Sequence, residues 1–186
     1  MNKSYSQLGQ DIFVENILKN KKNGIFLDIG GSEPIHINNT YLLEKKHGWK
    51  GISIDINEEY KTKWNDSDRD SSGFIVSDAL IIDYDKLILN LLEFNKKDRI
   101  DYLSIDLEPP AITLELLLKF PLDKCRFSVI TFEHDLYRGN QHILDKSREL
   151  FIKNNYKLVV DNINNQEDWW IDSNYDFEWG PIKTHY

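Results

Sequence analysis

Cysteine is almost absent from this sequence, since Cys125 is the only one among 186 residues. A single cysteine excludes an intramolecular disulfide and any metal site built from several thiolates. Apolar residues never run for the roughly 18 positions that a membrane-spanning helix needs. The first residues, MNKSYSQLGQD, lack the apolar core of a signal peptide. These absences together predict a cytoplasmic protein with no membrane partner.

Basic residues are outnumbered, with 23 against 31 acidic ones, and the formal net charge is -8. The two signs are interspersed, whereas nucleic-acid binders cluster Lys and Arg, so no nucleic-acid partner is expected. Hydrophobic residues make up 40% of the chain, which is typical of a folded core and not of disorder. The length favours one domain over residues 1–186, in which residues 1–24 form an N-terminal helix on the ligand side.

Short apolar runs alternate with segments of helical periodicity along the chain. Predicted strands cover residues 24–30, 51–56, 73–80, 100–108, 127–135 and 156–162, with a short last one at 169–172. Predicted helices cover residues 10–19, 38–46, 58–64, 84–94, 113–120 and 140–153. This alternation predicts an α/β fold with a mostly parallel sheet of six or seven strands and helices on both faces.

Each of the first four predicted strands ends in an aspartate: Asp28, Asp55, Asp78 and Asp106. Ligands of parallel α/β sheets bind at the carboxyl ends of the strands. Any one of these aspartates could simply cap the next helix. Four of them at one edge of the sheet favour a binding site.

The glycine pattern after the first strand limits the ligand. An acid at the end of the second strand, here Asp55, is placed to accept the hydroxyls of a ribose. A dinucleotide site also needs G-x-G-x-x-G, because a pyrophosphate lies against bare backbone. The sequence instead reads GGSEPI, and Glu33 would repel a phosphate. NAD, FAD and ATP are therefore disfavoured.

An adenosine carrier without phosphates fits this loop better, and S-adenosylmethionine is the common one. Its sulfonium cation is compatible with a site rich in carboxylates. The predicted contacts are Asp28 and Gly30 with the methionine part, Asp55 with the ribose, and Asp78 and Ala79 with the adenine, and Ile56 and Asp106 complete the set.

Several stretches resemble the FkbM-type family of S-adenosylmethionine-dependent methyltransferases. They are SQLGQD at residues 6–11, FLDIGGSEPIHINNTYLLEK at 26–45, GWKGISIDIN at 48–57, YLSIDLE at 102–108, VITFEHD at 129–135 and EDWW at 167–170. The resemblance covers nearly the whole chain and implies a Rossmann-like class I methyltransferase fold. It also implies O-methylation of a sugar, a glycan precursor or another small molecule, as in carbohydrate biosynthesis.

The resemblance assigns further residues to the cofactor pocket. It implies that Gly30 lies under the cofactor and that Asp55 binds the ribose. It places Asn39 and Thr40 at the start of a helix near the methionine end. The segment with Gln7, Gln10 and Asp11 is implied to fold back onto the same pocket.

Methyl transfer to a hydroxyl needs a base or a metal ion to remove the proton. His134, at the end of the fifth strand, is the first candidate for the base, because imidazole titrates near neutral pH. His36 is a second candidate, and Asp106 is a third catalytic residue. Each histidine could equally serve only to shape its loop.

A divalent cation such as Mg²⁺ or Mn²⁺ is a second route to an acidic hydroxyl. Asp106, Glu133, His134 and Asp168 offer mostly oxygen ligands at adjacent strand ends, which suits these ions. The same carboxylates could instead pair with Arg138 or lysines, so no metal site is assigned.

Two loops depart from the family pattern. Prolines follow Glu108 where the family often has D-x-E-G-x-E, and Glu33 and Pro34 interrupt the first loop, where they are expected to border the substrate side. Both departures favour an alternative function, a catalytically degenerate domain that keeps the fold for binding or assembly. The expected partner is a small-molecule or sugar acceptor, and a homodimer is left open.

Overall fold

The computed structural model describes residues 3–69 and 72–175. These residues form seven strands and six α-helices, which alternate except that β7 follows β6 directly. The strands are β1 Ile25–Ile29, β2 Lys50–Asp55, β3 Ser72–Val76, β4 Ile100–Ile105, β5 Phe127–Glu133, β6 Tyr156–Ile163 and β7 Glu167–Asp172. The helices are α1 Gln10–Ile17, α2 Tyr41–His47, α3 Glu59–Asn65, α4 Tyr84–Asn95, α5 Pro110–Lys119 and α6 Gln141–Lys153.

The strands form one sheet in the order β3-β2-β1-β4-β5-β7-β6. Neighbouring strands from β3 to β5 pair in parallel, whereas β7 is antiparallel to both β5 and β6. The chain reverses its direction of travel across the sheet between β1 and β4, which makes this pair the topological switch point. The predicted mostly parallel sheet with helices between its strands is confirmed.

The middle of the sheet is covered on both faces. Every residue of β1, β4 and β5 is buried, as expected for parallel strands between two helical layers. Trp169 packs on Phe13 of α1 with ring centroids 4.7 Å apart, and its neighbour Trp170 packs on Phe151 of α6 at 5.0 Å. The two tryptophans therefore serve the cores on opposite faces, because adjacent strand residues point to opposite sides.

Arg69 is a buried cation that fastens the loop between β1 and α2. Its side chain is only 5% exposed, and Nε donates to Oε2 of Glu44 at 2.5 Å. Nη1 donates to the carbonyl oxygen of Pro34 and to Oδ1 of Asn38. Nη2 donates to Oγ1 of Thr40 at 3.0 Å. These bonds hold the loop against the start of α2.

Within residues 3–69 and 72–175, every helix is too short or too polar to cross a membrane.

Candidate functional site

A cavity of about 580 Å³ opens at the carboxyl ends of β1, β2, β4 and β5, beside the switch point. This volume is within the range of small-molecule and cofactor sites. The four strand-end aspartates, Asp28, Asp55, Asp78 and Asp106, all line it. The structure therefore brings the four strand-end aspartates together around one cavity, as the sequence indicated.

The wall of the cavity is strongly acidic. Among the described residues that line it, Arg138 is the only cation, and it is held by Glu108 at 2.8 Å. The lining carboxylates are Asp28, Asp55, Asp78, Asp106, Glu108 and Glu133. Such a wall disfavours phosphates and suits neutral or cationic ligands.

The glycine loop after β1 uses its amide hydrogens internally. The N–H groups of Gly30 and Gly31 both donate to the carbonyl oxygen of Ile54, at 2.8 and 3.0 Å. The N–H of Ser32 donates to Oδ2 of Asp55 at 3.0 Å. A phosphate-binding loop would instead point such N–H groups at its ligand. The loop thus supports the exclusion of pyrophosphate that the missing glycines indicated.

Gly30 is also required by close packing. Its φ is +90°, a conformation that favours glycine, and a Cβ there would lie 1.6 Å from the carbonyl oxygen of Asp106. The absence of a side chain lets the end of β1 lie against the end of β4.

The side chain of Asn38 caps the start of α2. Oδ1 of Asn38 accepts hydrogen bonds from the N–H groups of Thr40 and Tyr41, each at 2.9 Å. Thr40 was expected in the cofactor pocket. It is instead fully buried, its hydroxyl faces Asn38 and Arg69, and it does not reach the cavity. Asn39 does line the cavity and donates to Oγ of Ser104 at 3.0 Å.

Asp55 has unused acceptor capacity towards the cavity. One oxygen accepts from the N–H of Ser32 and the other from the N–H of Asn57 at 2.9 Å. A carboxylate oxygen accepts about two hydrogen bonds, so each oxygen can take one more donor. Ile56 also lines the cavity and is 70% exposed.

Asp78 and Ala79 lie at the far end of the cavity, next to β3. Oδ1 of Asp78 accepts from the N–H of Leu80 at 2.8 Å and caps the short 3-10 turn Ala79–Ile81. Leu80 and Tyr60 line the same end. A flat ring would meet apolar surface here and one acidic acceptor.

Asp28 is buried in the middle of the cavity floor. Oγ of Ser53 donates to its Oδ2 at 3.1 Å. Burial outweighs its hydrogen bonds and raises the pKa of the Asp28 carboxyl from 3.8 to about 6. Its charge therefore changes near neutral pH.

The end of the cavity beside β5 and β7 is the most acidic part. Burial and the neighbouring Asp106 carboxyl raise the pKa of Glu133. Behind it, burial raises the pKa of Glu167 to about 8. Gln10 donates to Glu167 Oε1 at 2.6 Å, and Trp169 donates to Oε2 at 2.7 Å. Helix α1 thus closes this end, with Gln7 and Gln10 among the lining residues.

The two candidate histidines lie outside the lining of the cavity. His134 is fully buried, its Nδ1 accepts from the N–H of Leu136, and its Nε2 is 3.6 Å from Oδ1 of Asp168. Asp168 is in turn held by Arg148 at 2.7 Å. His36 is exposed on the loop after β1. Neither histidine lines the cavity in this structure, and a role as catalytic base stays a prediction for both.

The four residues considered as metal ligands are divided between two places. Asp106 and Glu133 line the cavity, whereas His134 and Asp168 pair behind it. Among the residues that the structure describes, no group of three or more His, Cys, Asp or Glu side chains is arranged to hold a metal ion.

The two loops that depart from the family pattern both border the cavity, but Glu33 and Pro34 themselves do not line it. Glu33 forms an ion pair with Lys63, and neither Glu33 nor Pro34 is among the lining residues. Pro110 is the first residue of α5, a position where the missing N–H of proline costs nothing. Glu108, just before the prolines, does line the cavity.

Other lining residues carried no signal in the sequence. Gln166 lies in the turn between β6 and β7, and its carbonyl oxygen accepts from the N–H groups of His134 and Asp135. Tyr137 lies in the turn after β5. Both reach the cavity only because β7 pairs with β5.

No protein-family model and no curated protein matches the chain. Solved structures match it at low identity. A candidate rRNA methylase from Clostridium thermocellum has a TM-score of 0.60 and 15% identity, over 91% of this chain and 97% of that one. A human methyltransferase 10 domain containing protein has a TM-score of 0.56 and 12% identity, over 92% and 83%.

The plantazolicin methyltransferase BpumL, solved in complex with SAH, has a TM-score of 0.56 and 14% identity, over 89% of this chain and 82% of that one. At these identities the similarity concerns the fold. The chain thus has the Rossmann-like class I methyltransferase fold, as predicted, and membership of the FkbM-type family stays a prediction.

The packing at Gly30 generates a test with a matched control. Gly30 and Gly139 both have positive φ, but a Cβ at Gly139 would have nothing within 4 Å. We expect Gly139→Ala to lose about 1 kcal/mol from backbone strain alone, and Gly30→Ala to lose at least about 3 kcal/mol or not to fold. Urea denaturation measures both, and equal losses would contradict the proposed contact with Asp106.

Proposed function

We propose that this chain is an S-adenosylmethionine-dependent methyltransferase that methylates a hydroxyl group of a small molecule, such as a sugar or a glycan precursor. The observation that carries the proposal is the cavity at the switch point. Its wall is acidic, and its glycine loop has already used its N–H groups on Ile54 and Asp55. A phosphate-free adenosine cofactor with a positive charge suits both features.

The lining residues suggest how the cofactor lies. The free acceptor positions of Asp55 suit the two ribose hydroxyls. The adenine then extends towards Asp78 and Ala79 beside β3, and the methionine part extends towards Asp28 and Asn39. The methyl group would point towards the ends of β4 and β5. Gly30 lines the cavity beside the proposed position of the methionine part.

Asp106 is the group best placed to receive the proton of the hydroxyl. It lines the cavity directly after β4, and burial raises the pKa of its carboxyl. A carboxylate with a raised pKa is a stronger base than an exposed one. Transfer itself is an in-line displacement, and most of its acceleration comes from holding the hydroxyl oxygen and the methyl group in line.

The acidic wall also supports a small acceptor over a nucleic acid. Among the described residues that line the cavity, six carry a carboxyl group and one a guanidinium, and the guanidinium of Arg138 is paired with Glu108. A phosphate backbone would be repelled at such an opening. Some fold neighbours carry RNA-related names, and nothing in this cavity calls for the same acceptor.

Cofactor binding is the first test. We expect S-adenosylhomocysteine to bind in calorimetric titration, and Asp55→Asn to weaken it at least about tenfold, because the lost charge weakens two hydrogen bonds. Asp145→Asn on the exposed face of α6 is the matched control and should change nothing. The absence of heat and of a thermal shift at millimolar ligand would refute the proposal.

Methyl transfer is the second test. We expect S-adenosylhomocysteine to form from S-adenosylmethionine with a panel of monosaccharides, polyols and phenols. Asp106→Asn should lower the rate at least about 100-fold, as loss of a general base does, with cofactor affinity kept within about threefold. Cofactor binding without transfer to any acceptor would favour the alternative, a degenerate binding domain.

The raised pKa of Asp28 predicts a pH dependence. Above pH 6 the carboxylate is charged and attracts the sulfonium of S-adenosylmethionine, whereas the demethylated product is a neutral thioether. The ratio of the two affinities should therefore rise about threefold or more from pH 5 to pH 7.5. The amino group shared by both ligands cancels in this ratio. Asp28→Asn should flatten it, and an unchanged slope in that variant would assign the effect elsewhere.

A further inference from the structure

Glu133 is a buried carboxyl with unused hydrogen-bonding capacity that points into the cavity. Its side chain lies at the end of β5, is 8% exposed, and lines the wall. Its Oε2 atom is buried and has no hydrogen-bond partner among the described residues. A buried polar atom without a partner is costly, so it calls for a ligand that supplies a donor.

The surroundings of Glu133 supply negative charge and no free cation. Glu167 lies directly opposite in the pairing of β5 with β7, and both of its oxygens accept from Gln10 and Trp169. The nearest lining cation, Arg138, is shared by Glu108 and Asp135 at 2.8 and 3.2 Å. Burial and the Asp106 carboxyl raise the pKa of Glu133, so a cationic donor from outside the described residues would favour its ionised form.

Glu133 also lies beyond the reach of the proposed cofactor. The ribose is assigned to β2 and the methionine part to β1, and β5 is two strands further in the order β2-β1-β4-β5. Neighbouring strands are about 4.8 Å apart, so the end of β5 is about 10 Å from that of β1. Asp106 on β4 lies between them. Glu133 thus belongs to the acceptor end of the cavity.

We propose that Glu133 is an ammonium subsite, so that the hydroxyl acceptor carries a primary ammonium group that donates to the Glu133 carboxylate. This inference rests on the proposed function, because it names the acceptor of that site. An ammonium has three donors and a full charge, whereas a neutral hydroxyl has one donor. A divalent cation would need several carboxylates around one point, and the described residues contain no such group.

Small probes test the subsite without knowledge of the full acceptor. Ethanolamine carries the ammonium next to a hydroxyl, ethylene glycol has a second hydroxyl instead, and N-acetylethanolamine keeps the nitrogen without its charge. Each is titrated into protein saturated with S-adenosylhomocysteine and followed by amide NMR shifts. We expect ethanolamine to bind at least tenfold more tightly than either neutral probe. Affinities within threefold of one another would overturn the inference. So would no ethanolamine binding at 50 mM, a Kd that corresponds to a binding free energy of about 2 kcal/mol.

A matched pair of variants locates the preference. Glu133→Gln should abolish the tenfold difference and leave the affinity for S-adenosylhomocysteine unchanged. Glu149→Gln removes an exposed carboxylate that pairs with Lys146 and should keep the difference. A preference that survives Glu133→Gln overturns the inference. If Glu133→Gln does not fold, by circular dichroism, the wild-type comparison of ethanolamine with N-acetylethanolamine decides.

Two further outcomes have distinct meanings. Displacement of ethanolamine by 5 mM MgCl₂, a concentration about five times the Kd of a carboxylate site of about millimolar strength, would reassign Glu133 to a divalent cation and overturn the ammonium. Binding of S-adenosylhomocysteine with no preference among the probes refutes only the ammonium subsite. Failure of S-adenosylhomocysteine itself to bind refutes the proposed function, and with it this inference.

Discussion

Two hydrogen bonds to one carbonyl oxygen determine what kind of ligand the cavity can hold. The N–H groups of Gly30 and Gly31 both turn towards Ile54, which ties the loop after β1 to the end of β2. The same turn brings Ser32 to Asp55 and so orients the carboxylate. The loop N–H groups that would bind phosphate in a dinucleotide fold are here bonded to Ile54 and to the Asp55 carboxylate, which they hold in place. Arg69 holds the rest of that loop through hydrogen bonds to Pro34, Asn38 and Thr40.

Buried carboxyls in and behind the wall of the cavity change their charge with pH. Burial raises the pKa of Asp28 to about 6 and that of Glu167 to about 8. Their neutral forms let the protein fold around an acidic wall without full repulsion, since protons offset the charge. A cationic ligand favours the ionised forms. Binding of a cationic ligand would therefore release protons from these carboxyls.

The sequence predicted the secondary-structure elements and the clustering of acids at their ends, because both depend on local patterns. Apolar runs that end in acids marked the parallel strands, and all four aspartates line the cavity. The sequence could not decide between neighbours such as Glu133 and His134. Strand residues alternate between sides, and one position decides which of the two reaches the cavity. Glu167 and Gln166 come to lie beside the cavity through antiparallel pairing of β7 with β5. This contact joins distant segments, so local sequence patterns could not predict it.

The two ends of the cavity are built from different parts of the chain. The end proposed for the cofactor is formed by the segments between β1 and β4, whereas the other end is closed by α1 and the turn before β7, joined through Gln10 and Glu167. Substitutions in these outer segments would reshape the end proposed for the acceptor and leave the proposed cofactor contacts intact. The fold thus separates the elements that would select an acceptor from those that would bind the cofactor.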